Sequence, residues 1–395
     1  MQAMRWCAAS ESDVRVLYLN PFSQEVSGPD ESLRVLLAPL IPAGVEAHVA
    51  LPAPGPQVER YQALGATTHF VPFATLRREL SVTTALYVAR LARSTAAVRR
   101  LARDIRADVI HTNMEVLLEG GLAARSLRIP HVLHYRGNTL DRPKLVFDAL
   151  TALWTTTADH IFCISRATAG IFERRGRAGK VEVLYNPIDV KAFATAPRSA
   201  DVRATLGAGP GHVLVGTVGR IHPRKDLETF VRAAALVGTQ RPDARFAVVG
   251  LAEAPVERDY EQRLRQLVQD LGLTDRLTFA GARRDIPAVM AALDIFVLTS
   301  RHEGFGRVVA EAMAAGRAIV VTDEGALPEL VEPGRFGVAA RPNDAADFAE
   351  QILRQINDPS AMRDLGRRAA ERAAAFDADG TAQRVRRVYA RLASA

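Results

Sequence analysis

The feature that most constrains this chain is an alternation. Short apolar runs, each closed by a loop containing Gly, Pro or Asp, are separated by amphipathic segments of helical length. In the first half, Val14–Leu19, Val45–Leu51, Val109–Ile110, His131–Tyr135, Ile161–Ile164 and Val181–Leu184 read as strands; in the second, Val213–Val218, Phe246–Val249, Leu277–Phe279, Ile295–Leu298 and Ala318–Val321 do. Strands alternating with helix-length segments build βαβ units, so the fold class is α/β with parallel sheets covered on both faces. At 395 residues the chain exceeds the size at which one hydrophobic core usually stops growing. Two domains are therefore expected, at 12–192 and 210–376, joined by the Ala-, Gly- and Pro-rich stretch 191–211. Open α/β sheets bind ligands at the C-terminal ends of their strands, so the loops at those ends are where function is sought.

Several classes of function fall away. Two cysteines, Cys7 and Cys163, cannot make a disulfide framework, which fits a reducing compartment. No apolar stretch has the length of a membrane span or of a signal peptide, so a cytoplasmic protein is expected. There is no Cys/His cluster with zinc spacing, no G-x-G-x-x-G loop and no Walker lysine motif, so zinc, NAD and P-loop ATP chemistry are not indicated. Asp377-Ala378-Asp379 has the spacing of a metal-binding Asp-x-Asp, but Asp379 reads as the N-cap of a last helix through Leu392. The net charge of +7 is concentrated: residues 77–106 hold eight arginines against Glu79 and Asp104. At 100° per residue, Leu91, Val98, Leu101 and Ile105 gather on one side, and Arg93, Arg99, Arg100, Arg103 and Arg106 on the other. This basic amphipathic helix is either core-packed with a solvated face or attracted to anionic lipid or a phosphate-bearing acceptor. With no aromatic residue between Arg90 and Arg106, it does not point to nucleic acid.

Two loops carry chemistry. Ser300-Arg301-His302-Glu303-Gly304-Phe305-Gly306-Arg307 directly follows a strand and opens a helical pattern containing Glu311. Glycines at 304 and 306 let the backbone approach a ligand closely, and the N–H groups and dipole of the helix that follows suit a phosphate or pyrophosphate. Glu303 and Glu311 are placed to accept hydrogen bonds from different parts of an extended ligand; from spacing alone, a helix-capping Glu303 and a solvated Glu311 stand as the alternative. The second loop, Gly219-Arg220-Ile221-His222-Pro223-Arg224-Lys225-Asp226, also follows a strand. Arg220 can grip phosphate oxygens bidentately and Lys225 adds a point charge, an arrangement suited to a diphosphate leaving group; a surface loop of solvated charges is the alternative.

Together, Gly219-Arg220…Lys225-Asp226 and Glu303-Gly304-Phe305-Gly306…Glu311-Ala312-Met313-Ala314-Ala315-Gly316 closely resemble the retaining glycosyltransferases of family 4, which have the GT-B fold. Phe279-Ala280-Gly281 leading to Asp285, and Ala326-Leu327-Pro328-Glu329-Leu330-Val331 before Gly334 and Gly337, agree with it. The resemblance spans essentially the whole second half. It implies two Rossmann-like domains facing a central cleft, with 12–192 binding the acceptor, 210–376 binding a nucleotide-sugar donor, and 377–395 crossing back to the first domain. Closure of the cleft would then expel water from the site. By the same resemblance, Arg220, Lys225 and Glu303 are the catalytic set: Arg220 and Lys225 bind the donor diphosphate, Glu303 meets the transferred sugar and Glu311 the ribose. Gly219, Gly281, Gly304, Phe305 and Gly306 complete the donor site. No metal and no cofactor are expected beyond a UDP- or GDP-sugar as substrate, and the anomeric configuration is retained.

The first half matches the family through Asp108-Val109-Ile110-His111-Thr112-Asn113, Asp159–Ser165 and Tyr185-Asn186-Pro187-Ile188-Asp189, with two departures. Where the family has a glycine-rich turn, Ser27-Gly28-Pro29-Asp30-Glu31 keeps one glycine, and where it has His-Gly, this chain has Arg136-Gly137. Gly28, His111, His134 and Arg136 are the acceptor-side candidates that remain. Two other readings stay open: a nucleotide-sugar epimerase of the same architecture, and a catalytically silent protein that binds nucleotide sugar or lipid.

Overall fold

The computed structural model describes residues 14–24, 27–76, 84–137, 143–176 and 178–394, with the side chains of residues 84 and 85 left aside. Cys7, Arg77 and Arg78 lie outside the described residues. The chain divides into two compact units. One comprises the described residues up to Ile164, Thr168–Leu184 and the chain from Ala378 onward; the other comprises Ser165–Ala167 and Tyr185–Asp377.

The first unit carries a sheet of β1 (Val14–Leu19), β2 (Val45–Leu51), β3 (Thr67–Phe70), β4 (Val109–Thr112), β5 (His131–Tyr135), β6 (His160–Cys163) and β7 (Val181–Val183). Its order is β3-β2-β1-β4-β5-β6-β7, every pairing parallel. The second unit carries β8 (Val213–Val218), β9 (Ala244–Val249), β10 (Leu277–Gly281), β11 (Ile295–Leu298), β12 (Ala318–Thr322) and β13 (Val338–Ala340). They are ordered β10-β9-β8-β11-β12-β13, again all parallel. Both orders reverse beside the first strand, between β1 and β4 and between β8 and β11, which opens a crevice at the strand ends there.

β3 and β13 were not legible as strands, and each lies at a sheet edge. β3 reads Thr-Thr-His-Phe and is half exposed, and β13 is only three residues long. An edge strand covered on fewer sides needs no continuous apolar run. The expected linker 191–211 is instead folded into the second unit. Helices Val190–Ala194 and Ala200–Thr205 are N-capped by Asp189 and Ser199, and Arg198 and Arg203 both pair with Asp294.

The last helix, Ala378–Ala393, belongs to the first unit, where Ala382, Val385, Val388 and Tyr389 share a core with Val16, Tyr18, Leu33 and Leu37. The Tyr389 hydroxyl donates to Tyr18 Oη at 3.1 Å and lies against His111 Nδ1. Asp379 is the second residue of this helix rather than its cap, where its charge still complements the helix dipole.

Burial of histidines in this sheet gives the fold a pH limit. His131 is 2% exposed and neutral, with Nδ1–H donating to the Thr157 carbonyl at 3.1 Å and Nε2 accepting from Thr112 Oγ1 at 2.8 Å. Desolvation lowers its pKa to about 4. A base whose folded pKa is depressed contributes stability that is complete above its unfolded value, about 6.5, and lost as pH falls toward the folded one. The urea midpoint is therefore expected to fall between pH 6.5 and 4. His131→Gln should flatten that slope, and an unchanged slope in the variant would remove His131 as its source.

Candidate functional site

The site lies at the C-terminal edge of the second sheet, built from the loops after β8 and β11, adjacent strands on either side of the reversal. After β8 the backbone turns at Gly219 (φ 148°) and passes Arg220 into a short turn, Pro223–Lys225, that ends on Asp226 in the left-handed region (φ 48°). Asp226 is buried; its carboxylate accepts from Thr229 Oγ1 at 2.8 Å and pairs with Arg301 at 3.2 Å. Two further bonds stitch the loops together: Thr299 Oγ1 donates to the Lys225 carbonyl at 2.8 Å, and the Arg301 N–H to the Arg224 carbonyl at 3.1 Å.

This stitching brings Lys225 Nζ to 2.5 Å from Glu303 Oε1, both side chains largely covered. With less solvent to screen them, the two charges attract each other more strongly than an exposed pair, against the cost of desolvating both. Two sequence motifs 78 residues apart therefore meet in one cation–carboxylate pair. The helix-capping alternative for Glu303 does not hold, because the helix Arg307–Ala314 starts on Gly306, in the left-handed region (φ 88°), with no side-chain cap. A side chain on residue 306 would be strained by this positive φ, and its Cβ would displace Leu327 Cδ2, 2.6 Å away, so glycine is favoured at this entry to the helix. The following loop supports Glu303 from behind: the Ala326 N–H donates to its carbonyl at 3.1 Å, and His302 pairs with Glu324 at 2.8 Å.

Glu311 is 7% exposed and pairs with Arg307 at 3.1 Å, so it is not a solvated surface group. Phe305 contributes packing as well as backbone: it is 2% exposed and stacks on Tyr185 (5.8 Å between centroids) and edge-on to Phe376. Gly304 is half-buried beside it. Gly281, in the left-handed region (φ 66°), ends β10, two strands away from β8 along the same edge; its carbonyl accepts from the Gly250 N–H at 2.9 Å.

Two supporting residues carried no local signal. Glu257, 2% exposed, faces Arg220 at 3.6 Å. Burial raises its carboxyl, but N–H groups of Glu253 and Ala254 and the charges of Arg220 and His222 outweigh this and hold it below the ordinary carboxylate range. Gly250 passes so close to Gly219 that a Cβ there would lie 1.8 Å from the Gly219 oxygen. His222 is lowered by burial and by Arg224, Arg220 and Lys225 against the opposing Glu257, and its Nδ1 accepts the Arg224 N–H at 3.0 Å.

In the first unit, the acceptor-side candidates are placed differently from the expectation. His111 and His134 are 0% and 1% exposed and stack on each other at 5.7 Å inside the core with Phe162, so neither presents a surface to a ligand. Burial, then the charge of Arg136, holds both well below the ordinary histidine value. Position 134 is enclosed because both faces of β5 are covered by core, so neither side of the alternation reaches solvent. Arg136 is 5% exposed and donates to Asn113 through Nε (2.8 Å, carbonyl) and Nη2 (2.6 Å, side chain); Asn113 in turn donates to Asn20 at 2.9 Å. It ties the ends of β1, β4 and β5 together. Gly28 opens the helix Gly28–Leu40, whose first turn carries Asp30, hydrogen-bonded to Ser27 and Asn20, and Glu31. Carboxylates already occupy that helix terminus, which disfavours a phosphate there.

Two parallel-sheet α/β units, one with a cation–carboxylate pair joining two loops at its switch point, match the architecture of the GT-B glycosyltransferases. Residues 200–372 match the family model of glycosyl transferases group 1, and residues 26–192 that of glycosyltransferase family 4. The chain belongs to this family. It is 30% identical over 378 residues to the 2-deoxystreptamine N-acetyl-D-glucosaminyltransferase of Streptomyces fradiae, covering 85% of this chain and 88% of that protein. It is 38% identical over 152 residues to the lipopolysaccharide core biosynthesis mannosyltransferase LpsB of Rhizobium meliloti, a match spanning 38% of this chain and 43% of that relative. The structure of Anabaena Alr3699/HepE in complex with UDP superposes with a TM-score of 0.82 at 27% identity, over 95% of this chain and 99% of that one.

Proposed function

We propose that the protein transfers a sugar, with retention at the anomeric carbon and without a metal ion, from a UDP- or GDP-linked donor to an acceptor hydroxyl in glycoconjugate or polysaccharide biosynthesis. The observation that carries this reading is the Lys225–Glu303 pair at 2.5 Å, set beside Arg220 and the open helix end at Gly306. In this reading Arg220, Lys225 and the N–H groups of the helix take the donor diphosphate and stabilise the charge that grows on it as the sugar bond breaks. Glu303 accepts hydrogen bonds from the sugar hydroxyls and Glu311 from the ribose, while Gly219, Gly281, Gly304 and the Phe305 and Gly306 backbone let the ligand approach. Structures of Alr3699/HepE with UDP and with UDP-glucose support a nucleotide-sugar ligand.

The same reading makes the enzyme cytoplasmic, with a peripheral contact to anionic membrane through the basic helix Thr84–Asp104. Val98 of that helix is buried, while Arg90, Arg93, Arg100 and Arg103 are exposed. Among the described residues, no helix is long and apolar enough to cross a membrane.

The test is thermal stability in the presence of a chelator against UDP, GDP, ADP and dTDP and their sugar conjugates. At a hundredfold excess over Kd, one nucleotide should raise Tm by roughly 5–10 °C, and Glu311→Ala should abolish that shift. No response to any nucleotide would favour a silent homologue. Consumption of the nucleotide sugar without an acceptor, giving its epimer, would mark an epimerase.

A further inference from the structure

A second charged concavity lies in the first unit, on elements that the donor site does not use. The helix Lys144–Thr157 begins with Lys144 and Leu145, and the helix Arg166–Glu173 is followed directly by Arg174 and Arg175. Lys144, Asp148, Arg174 and Arg175 line a cavity of about 520 Å³. Asp148 is shared between Lys144 Nζ at 2.7 Å and the Arg175 guanidinium, whose Nε lies 3.0 Å away, and these two cations hold it below the ordinary carboxylate range. Arg175 is fixed further by its bond to the Ile171 carbonyl at 2.9 Å and by lying over the Phe147 ring. One carboxylate thus pairs with two cations, while Arg174 makes no ion pair among the described residues. The lining keeps a net positive charge, with the volume for a phosphate-bearing headgroup.

Beside the cavity, Leu145 is 83% exposed, while its neighbour Phe147 is buried. A leucine so exposed next to three cations matches the boundary of an anionic bilayer, where headgroup charge and acyl chain lie within a few ångströms of each other. The basic helix Thr84–Asp104 adds Leu86 and Val88, 64% and 59% exposed, and its Leu91 packs into the same core cluster as Val146, so both elements belong to one part of the unit.

We infer that the Lys144–Arg174–Arg175 cavity is a binding site for the phosphate of an anionic lipid, with Leu145 inserted beside it. The inference extends the membrane contact proposed above and is independent of the transferase reading.

The experiment is co-sedimentation of the full chain with phosphatidylcholine vesicles with and without phosphatidylglycerol. Binding should require phosphatidylglycerol and weaken with salt. Lys144→Ala/Arg174→Ala should weaken it roughly thirtyfold and Leu145→Ser roughly tenfold, with the nucleotide-induced thermal shift unchanged. If Arg93→Ala/Arg100→Ala abolishes binding while both cavity variants bind as the parent does, the membrane contact stands and this site is overturned. Failure of the parent to bind phosphatidylglycerol vesicles overturns both. Stabilisation by inorganic phosphate that is lost in Lys144→Ala/Arg174→Ala, without any effect on vesicle binding, makes the cavity a free-anion site and overturns the lipid assignment.

Discussion

Replacing Lys225 by Met is expected to lower kcat for sugar transfer by about 10²–10³-fold while leaving the fold intact, because one preorganised charge facing a developing anion contributes on that scale. Met keeps the length of the stem and removes only the ammonium. Lys225 is 25% exposed at the side chain and its backbone carbonyl is already bound by Thr299, so the loop retains its support without Nζ. The loss should fall on kcat more than on donor affinity if Lys225 acts mainly on the leaving group, since an interaction stronger in the transition state than in the ground state raises kcat rather than lowering KM. Steady-state kinetics with the donor identified by thermal shift measures both. A variant with parental kcat would remove Lys225 from the catalytic set and reduce the Lys225–Glu303 pair to a loop fastening.

Gly250→Ala is expected to be the most damaging single methyl group in the second unit. Its Cβ would lie 1.8 Å from the Gly219 oxygen, in a backbone region (φ 157°) that side chains rarely adopt. The backbone must move, at a cost of about 3 kcal/mol in strain and displaced packing. That corresponds to roughly 6–12 °C in Tm. Because the displaced segment is the one leading to Arg220, donor binding should weaken together with stability. Gly281→Ala is the matched control. It also has positive φ, at 66°, but its Cβ would meet nothing within 4 Å, so only about 1–2 kcal/mol of left-handed strain applies. Equal melting temperatures for the two variants would show that the close approach at Gly219 relaxes without cost.

Most strands were readable because a parallel strand covered on both faces is predominantly apolar. Val14–Leu19, Val45–Leu51, His131–Tyr135, Val213–Val218 and Ile295–Leu298 have the bounds expected of them. β4 runs on through His111 and Thr112, where the apolar signal stops, because both polar side chains are buried and His111 lies against Tyr389, 278 residues away. No local pattern could extend that strand, since what satisfies the histidine is a helix from the far end of the chain.

The donor-side motifs announced themselves through glycines and charges at strand ends, and their grouping in one site followed from topology. Which charges meet did not. Lys225 with Glu303, Arg220 with Glu257 and Arg301 with Asp226 are pairings across 78, 37 and 75 residues. The acceptor-side histidines show the reverse limit: a histidine near a strand end looks like chemistry in the sequence, and burial at 0% and 1% exposure makes His111 and His134 part of the packing. By itself, the sequence determined the α/β class, the two-domain organisation and the two charged, glycine-containing loops proposed to bind donor, because periodicity, glycine and charge are local properties of the chain. Only the tertiary structure decided which carboxylate faces which cation and which titratable side chains are exposed, because desolvation and charge pairing depend on neighbours that the sheet order brings together from distant parts of the chain.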